Sequence, residues 1–172
     1  MIRTLKILFL ATMLSTMLAA QSSSRGVLEG AGRVAEIVVT GANASTTSNP
    51  QPGLFVFTRK HYSFWRASGD QPRPLFKGAP TNAEKIMAFD SFAGTTGTYE
   101  VSGTTLTVRP VVARTPNCMG GGAFLTYQFR VDGNTLSLTQ KSSDVNCLSG
   151  QPALPSPAAL VRETRWKLTR VE

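Results

Sequence analysis

Apolar and polar side chains alternate with a period of two residues through most of the second half of the chain. Gly103 and Gly133 interrupt the alternation, each within a short polar segment. A period of two places the apolar side chains on one face of a β-strand, and glycine beside Ser, Asp or Asn supplies the positive φ of a tight hairpin turn. The pattern predicts two antiparallel hairpins with one buried face. The alternating apolar residues are Tyr99, Val101, Leu106, Val108, Leu125, Tyr127, Phe129, Val131, Leu136 and Leu138.

Further strands are predicted on both sides of these hairpins, separated by segments rich in Gly, Pro, Ser, Thr and Asn. The first strand contains Val34 and Ile37, the last contains Trp166 and Leu168, and we expect these two strands to pair. About eight antiparallel strands favour an all-β fold, a single closed up-and-down barrel that leaves no exposed edge. The predicted strands span roughly 33–40, 54–58, 61–66, 97–101, 105–113, 123–131, 135–141 and 164–171.

One short helix is predicted between the third and fourth of these strands. Thr81 is a suitable N-cap, and Glu84 follows it at the spacing of a capping box. The apolar residues that come next recur at helical spacing, so the helix has one apolar face. They are Ile86, Phe89 and either Met87 or Phe92.

Residues 1–20 have the three-part pattern of a secretory signal peptide. Arg3 and Lys6 lie near the start, an apolar run over 7–14 follows, and small residues end at Ala20. The apolar run is shorter than the ~20 residues that a membrane-spanning helix needs. We expect cleavage after Ala20, which leaves one domain over residues 21–172 without a transmembrane span, in the periplasm or outside the cell. An uncleaved membrane anchor is the alternative that the pattern leaves open.

Basic residues exceed acidic ones without forming a cluster. The formal net charge of +8 at pH 7 falls to +6 when the two basic residues of the predicted signal peptide are removed. The remaining Lys and Arg residues are spread along the chain in runs of at most two. Because a nucleic-acid interface needs basic residues on one face together with stacking aromatic side chains, we expect a solvated surface and no nucleic-acid partner.

Cys118 and Cys147 are the two cysteines of the chain. They lie just beyond the predicted strands 123–131 and 135–141, whose outer ends meet because the strands are antiparallel. Thiols of exported proteins form disulfides in an oxidising compartment, so we expect these two residues to be bonded. Two sulfurs without nearby histidines cannot complete a zinc site, and we expect neither a metal nor another cofactor.

Several segments of the predicted domain share their order with a known family. They are Gly53-Leu54-Phe55-Val56-Phe57-Thr58, His61-Tyr62-Ser63, the helix from Asn82 to Phe92, Gly97-Thr98-Tyr99-Glu100-Val101 and the closing Trp166-Lys167-Leu168-Thr169-Arg170-Val171. In this order they resemble the bacterial lipocalin-like domain family over most of residues 28–172. The resemblance implies a small barrel with an interior cup and, for most members, no established activity.

The first predicted strand departs from that family in one respect. Lipocalin-type first strands commonly begin with Gly-X-Trp, whereas Gly32 stands here at the tryptophan position. We therefore expect the floor of the barrel either to be packed by Trp166 or to be more open than in a standard closed end.

His61 is the only histidine of the chain and the best single candidate for chemistry. Imidazole titrates near neutrality, so one hypothesis is an isomerase- or cyclase-type enzyme that uses His61 with Tyr62 or Tyr99. In this hypothesis Tyr62, Tyr99 or Arg66 orients a substrate oxygen. The favoured interpretation is a structural histidine at a strand end. The sequence forces no carboxylate close to His61, so a hydrolytic triad is not supported and no catalytic residue is assigned.

Aromatic side chains on the inward face of an eight-stranded barrel either fill it or line a cup for one small ligand. We expect an exported lipocalin-like protein that holds a small, mostly apolar ligand. The alternative is a filled barrel that acts through its outer surface, for which exposed apolar side chains around Trp65 would be the sign. The oligomeric state is left open. The candidate ligand contacts are His61, Tyr62, Phe64, Tyr99, Tyr127 and Trp166.

Arg130 alternates with Phe129 and Val131, so its side chain is expected to face solvent. An inward arginine that binds a carboxylate is the alternative for this position.

Overall fold

The computed structural model describes residues 26–41, 43–69, 71–119, 122–147 and 162–171. The predicted signal peptide and its cleavage position after Ala20 lie outside these residues. The described part contains one antiparallel sheet of ten strands and one α-helix. The strands are β1 Gly30–Gly41, β2 Ser45–Thr47, β3 Gly53–Phe57, β4 His61–Ala67, β5 Phe92–Ser102, β6 Thr105–Ala113, β7 Phe124–Asp132, β8 Thr135–Lys141, β9 Val145–Asn146 and β10 Arg162–Arg170, and the helix is α1 Asn82–Asp90.

Eight of the ten strands close into a barrel, in the order β1, β3, β4, β5, β6, β7, β8 and β10. Pairing of β10 with β1 completes the circle, with Val34 opposite Leu168 and Ile37 opposite Trp166. The all-β fold, the eight-stranded up-and-down barrel and the pairing of first and last strands are confirmed.

Two short strands lie off the barrel and were not expected. β2 pairs with the C-terminal half of β1, and β9 pairs with the first two residues of β7. All three residues of β2 are exposed Ser or Thr, so this strand has no apolar alternation from which it could be predicted. The helix ends at Asp90 and Phe92 is the first residue of β5, so Phe92 does not contribute to the apolar face of the helix. Of the two alternatives for the third apolar residue, only Met87 lies in the helix.

The two ends of the barrel are connected in different ways. At one end, tight turns join β3 to β4, β5 to β6 and β7 to β8, with Gly103 and Gly133 at positive φ angles of 58° and 55° as the hairpin turns require. A helical turn at 26–28 also lies here. We call this the closed end. The longer connections, which carry β2, α1 and β9, lie at the opposite, open end.

The closed end is packed by apolar side chains. Leu106, Leu138 and Leu168 are fully buried in one cluster with the aromatic residues of β3 and β5. The rings of Phe55 and Phe64 stack with their centroids 3.9 Å apart.

Leu168 fills the floor of the barrel together with Leu28 and Phe55, and Trp166 lies one inward position nearer the open end. A Cβ atom on Gly32 would lie only 3.2 Å from the Cβ of Leu168, so any larger side chain at this position would require Leu168 to shift. Gly32 and Leu168 therefore replace the packing that a Gly-X-Trp start would supply, and a void of about 20 Å³ remains beside them.

The helix α1 begins with the expected capping box. The Thr81 N–H donates to Glu84 Oε2 at 2.7 Å, and the Glu84 N–H donates to Thr81 Oγ1 at 3.3 Å. At its C-terminus, Arg73 and Arg114 donate to the carbonyl oxygens of Ala88 and Phe89 at 3.0 and 2.7 Å. Both cations also favour the negative end of the helix dipole, so these contacts hold the helix beside β5.

The apolar face of α1 is not buried. Ile86 is 63% exposed and Phe89 is 51% exposed, and no residue of the helix belongs to the core. The helix is attached at its C-terminal end, through Arg73 and Arg114, rather than through the face that its sequence predicts.

Cys118 and Cys147 form a disulfide bond, as expected, with their Cα atoms 4.1 Å apart. The bond packs against Ala113 and Leu125 in a small cluster separate from the main core. It joins the segment after β6 to the end of β9 at the open end of the barrel.

Candidate functional site

A cleft of about 290 Å³ lies at the open end of the barrel, between the inward faces of β1, β4, β8 and β10 and the short strand β2. Its apolar wall includes Ile37, Val39 and Trp166. Its polar wall includes Arg66, Gln140, Arg162 and Thr164, and Thr47 contributes from β2. The cleft is therefore partly apolar and partly polar.

The alternation of each strand places these polar side chains inside the barrel. Along β10, Leu168 is followed by Trp166, Thr164 and Arg162 on the same inward face. Along β4 the inward residues are Tyr62, Phe64 and Arg66, and along β8 they are Leu136, Leu138 and Gln140. Each inward row thus begins with apolar residues at the closed end and finishes with a polar or charged residue at the cleft.

Two guanidinium groups dominate the electrostatics of the cleft. Burial lowers the pKa of the Arg66 guanidinium, and the positive charge of Arg162 lowers this pKa further. Arginine nevertheless stays protonated in proteins, so the shift measures how unfavourable two neighbouring positive charges are in this place. Among the described residues that line the cleft, none is acidic.

Two buried tyrosines lie inside the barrel, nearer its centre. The Tyr62 hydroxyl donates to Thr95 Oγ1 at 3.0 Å, and burial raises the pKa of Tyr62 to about 12 despite this hydrogen bond. Burial also raises the pKa of Tyr127, with a smaller contribution from Tyr62, while the Gln140 side chain acts in the opposite direction. Both phenols are therefore neutral at pH 7.

One buried donor beside the cleft, Trp166 Nε1, has no hydrogen-bond partner among the described residues. Gln140 Nε2 lies outside strict hydrogen-bond geometry, but its side chain is close enough to Tyr127 to lower the pKa of that phenol. Trp166 is only 9% exposed, and its ring packs edge-on against Tyr127 with centroids 5.8 Å apart. A buried polar group without a partner is costly, and native proteins usually satisfy such groups.

The six residues predicted as ligand contacts are distributed over the whole barrel. Only Trp166 among them lines the cleft, while Tyr62 and Tyr127 lie in the buried core. Phe64 stacks on Phe55, and the Tyr99 hydroxyl donates to the carbonyl of Thr58 at 2.7 Å near the closed end. The role of these six residues in ligand binding stays a prediction.

His61 is exposed on the outer face of the barrel, opposite to the inward Tyr62 on the same strand. Its backbone N–H donates to Thr58 Oγ1 at 3.2 Å, and its carbonyl accepts from the Thr58 N–H at 2.9 Å. The structure does not bring the side chains of His61, Tyr62 and Tyr99 into one site, so the enzyme hypothesis gains no geometric support.

Sequence reasoning missed Arg162, Gln140 and Thr164 as cleft residues, and it considered Arg66 only as a partner of His61 that could orient a substrate oxygen. Arg66 has the same parity as Tyr62 and Phe64, and Arg162 has the same parity as Trp166 and Leu168. Extending the alternation by one or two further positions would have placed both arginines inside. Arg130 does face solvent, as expected, where it is 3.6 Å from Asp132.

Comparison of the chain with protein-family models, curated proteins and solved structures found no match. Within the described ranges, no helix has both the length and the apolar character to cross a lipid bilayer. In the same part of the chain, no three His, Cys, Asp or Glu side chains are grouped closely enough to hold a metal ion.

Proposed function

We propose that this chain is an exported, lipocalin-like protein that binds one small molecule in the open end of its barrel. The observation that carries the proposal is the cleft of about 290 Å³. Pockets for small molecules commonly begin at ~300 Å³, combine an apolar wall with a few polar groups, and often occur in the mouths of β-barrels. The cleft has this size, composition and position.

Two further features support the proposal. The closed end is filled by its own side chains, so a ligand has one route into the barrel, from the open end. The disulfide between Cys118 and Cys147 is the kind of bond that persists in an oxidising compartment, which supports export.

Native mass spectrometry of the full chain, produced with periplasmic targeting and purified without denaturant, tests both parts of the proposal. We expect the protein mass of residues 21–172, lowered by the two hydrogens lost in the disulfide, together with a bound small molecule that organic extraction removes. Retention of residues 1–20 would contradict cleavage after Ala20 and favour an uncleaved anchor, whereas recovery of the protein with both cysteines reduced would contradict export. Failure to find an extractable ligand, followed by failure of carboxylate, amide and sterol probes to bind at millimolar concentration, would contradict ligand binding.

A pair of neighbouring substitutions on β2 tests whether the ligand occupies this cleft. Thr47→Trp places a large ring in the cleft, whereas Thr46→Trp places the same ring on a neighbouring exposed residue that does not line it. We expect Thr47→Trp to abolish the extractable ligand and Thr46→Trp to retain it. Equal retention in both variants would place the ligand elsewhere.

A second candidate function is a module that acts through its outer surface. One observation favours it: Leu75 is 92% exposed and Ile86 is 63% exposed at the open end. Trp65, around which this surface was expected, is instead half-buried and stacked on Phe92 at 5.3 Å. Light scattering of the wild-type chain and of Leu75→Gln/Ile86→Gln tests this candidate, since self-association that the double substitution removes would support it and a monomer in both would oppose it.

A further inference from the structure

We infer that the open-end cleft binds the carboxylate of its ligand between Arg66 and Arg162, with the apolar part of the ligand against Ile37, Val39 and Trp166. This inference rests on the proposed ligand-binding function and adds the chemical class of the ligand. It replaces the mostly apolar ligand expected from the aromatic content by an amphipathic anion.

The described lining of the cleft is positively charged. Arg66, which is partly buried, and Arg162, which is exposed, both line it, and the charge of Arg162 adds to burial in lowering the pKa of Arg66. Burying a charge is unfavourable unless an opposite charge or hydrogen bonds compensate it. An anion between the two guanidinium groups would supply this compensation and would accept their N–H groups in the forked geometry that carboxylates match.

Several side chains that line the cleft are hydrogen-bond donors. Arg66 and Arg162 line it together with Gln140 and Trp166, whose Nε2 and Nε1 atoms are themselves enclosed by protein. The indole N–H and the guanidinium groups can only donate. A ligand that completes this site must therefore present acceptors, and a carboxylate presents two oxygens and no donor.

The described acidic side chains near the cleft do not line it. Glu163 follows Arg162 on β10 and has the opposite parity, and Glu36 pairs with Lys167 on the outer face of β1. The ion pairs found in the described ranges, Arg109 with Glu100 and Arg130 with Asp132, join exposed side chains that do not line the cleft. Asp70 lies outside the described residues but follows Gly69, which lines the cleft. The variant Asp70→Asn is therefore included in the experiment.

The test compares octanoate with octanamide, which has the same chain length and a planar but neutral head group. Isothermal titration calorimetry on the full mature chain is expected to show octanoate binding at least about tenfold more tightly, because hydrogen bonds to a charged group are the stronger ones. Inorganic phosphate is the third probe and is expected to bind much more weakly than octanoate, since it has no apolar part. Equal affinity for octanoate and phosphate would overturn the inference in favour of a free-anion site.

Arg162→Gln is the decisive variant because Arg162 is exposed and its loss does not disturb the core. We expect it to weaken octanoate binding about tenfold while leaving octanamide binding unchanged. Arg165→Gln is the matched control, since it removes the same charge from the same strand on the outer face. Equal losses in the two variants would reduce the effect to net charge and would overturn the inference.

Arg66→Gln adds a readout that separates a ligand-binding arginine from a structural one. We expect the ligand-free protein to keep or raise its melting temperature, because a repulsive charge is removed, while octanoate affinity falls about tenfold. A lower melting temperature with unchanged octanoate affinity would mean that Arg66 stabilises the fold and does not receive the ligand. Asp70→Asn is expected to change the affinity less than about twofold, whereas a tenfold gain would show that Asp70 already neutralises the arginines.

The indole N–H resonances give a direct signal from the site. The chain has two tryptophans, and Trp65 lies outside the cleft, stacked on Phe92. We expect octanoate to shift the Trp166 indole resonance and to leave that of Trp65 in place. If octanamide and octanoate bind equally, the ligand-binding function stands and the carboxylate inference is wrong; if neither binds and no ligand is extracted, both are wrong.

Discussion

The closed and open ends of the barrel are built from the same strands and differ in what those strands place inside. At the closed end the inward residues of β4, β8 and β10 are Tyr62, Leu136 and Leu168, and the turns between strands are tight. At the open end the inward residues of the same strands are Arg66, Gln140 and Arg162, and the connections are long.

This difference separates the part of the barrel that stabilises the fold from the part that we propose as the binding site. Apolar burial at the closed end supplies the packing that holds the barrel together. The open end bears unfavourable features, a pair of like charges and the unsatisfied indole N–H of Trp166. The filled closed end compensates for these features in the free energy of folding.

Leu168→Ala, at the closed end, is expected to cause the largest loss of stability. The side chain is fully buried and fills the floor of the barrel beside Gly32. Truncation should lower the free energy of unfolding by about 4 kcal/mol, since it removes apolar burial and leaves a cavity. Urea denaturation followed by circular dichroism measures the change.

Val34→Ala and Val39→Ala form the matched control for that result. Both valines are buried on β1, but Val34 belongs to the main core cluster while Val39 lines the cleft. We expect Val34→Ala to cost more, by about 1 kcal/mol, because fewer groups pack around a residue that borders a cleft. Equal losses would mean that packing is uniform along the barrel.

The double variant Cys118→Ser/Cys147→Ser is expected to have the next largest effect, at the open end. The bond spans a sequence separation of 29 residues, so its loss should lower the free energy of unfolding by about 3 kcal/mol through the entropy of the unfolded chain. Ligand affinity should not change, since neither cysteine lines the cleft. A loss of affinity in a folded double variant would show that the disulfide also shapes the site.

Most of the fold could be predicted because its signals are local. The glycine turns at Gly103 and Gly133, the capping box of Thr81 with Glu84, and the alternation of each long strand all depend on neighbouring residues. The disulfide followed from the antiparallel pairing of two predicted strands. β2 could not be predicted, since three exposed polar residues pair with β1 only in the folded barrel.

The cleft was harder to predict because it begins where the inward side chains of each strand change from apolar to polar. Arg162 was interpreted as a surface charge and Arg66 only as a possible partner of His61, although the parity of both puts them inside. Charged residues are almost always exposed in proteins, and that general tendency outweighed the alternation. The exposed face of α1 was also unexpected, since helical periodicity tells which residues share a face but not whether a partner covers it.

Tyr62→Phe removes the hydroxyl of the buried tyrosine that begins the inward row of β4. We expect a smaller effect on stability, and one that depends on pH. The pKa of Tyr62 is raised from 10.0 to about 12, so the folded state holds its proton where the unfolded state loses it. The resulting stabilisation is complete below pH 10 and is lost as the pH rises towards 12. At neutral pH the variant should lose about 1 kcal/mol with the hydrogen bond to Thr95.

Urea denaturation at pH 8, 10 and 11 measures this effect for Tyr62→Phe against wild type. The difference in stability between the two proteins should shrink as the pH rises, because only the wild type loses the contribution of Tyr62. Absorbance at 295 nm should show delayed ionisation of this phenol in the folded wild type. A constant difference across the range would contradict burial of the hydroxyl.

Thr81→Ala is expected to have the smallest effect on global stability, and its smallness is the informative result. Removing the N-cap should destabilise α1 itself by about 1 kcal/mol, whereas Thr81→Ser keeps the cap. Because α1 buries no residue, the barrel should lose less than about 0.5 kcal/mol, as for an ordinary surface substitution. Amide hydrogen exchange in α1 measures the local stability of the helix, and urea denaturation measures the stability of the barrel.

The ionisation of Glu84 adds an independent check on the same cap. Hydrogen bonds from the Thr81 backbone and side chain lower the pKa of Glu84, so they stabilise the helix above this pKa and are lost as the pH falls through it. In Thr81→Ala the pKa of Glu84 should therefore rise only part of the way towards its ordinary value, because the backbone N–H of residue 81, the larger cause, remains; an NMR titration measures the change. If exchange in α1 instead stayed slow while the whole barrel lost stability, the helix would be packed on the barrel, and the contrast between a stabilising closed end and a loosely attached open end would fail.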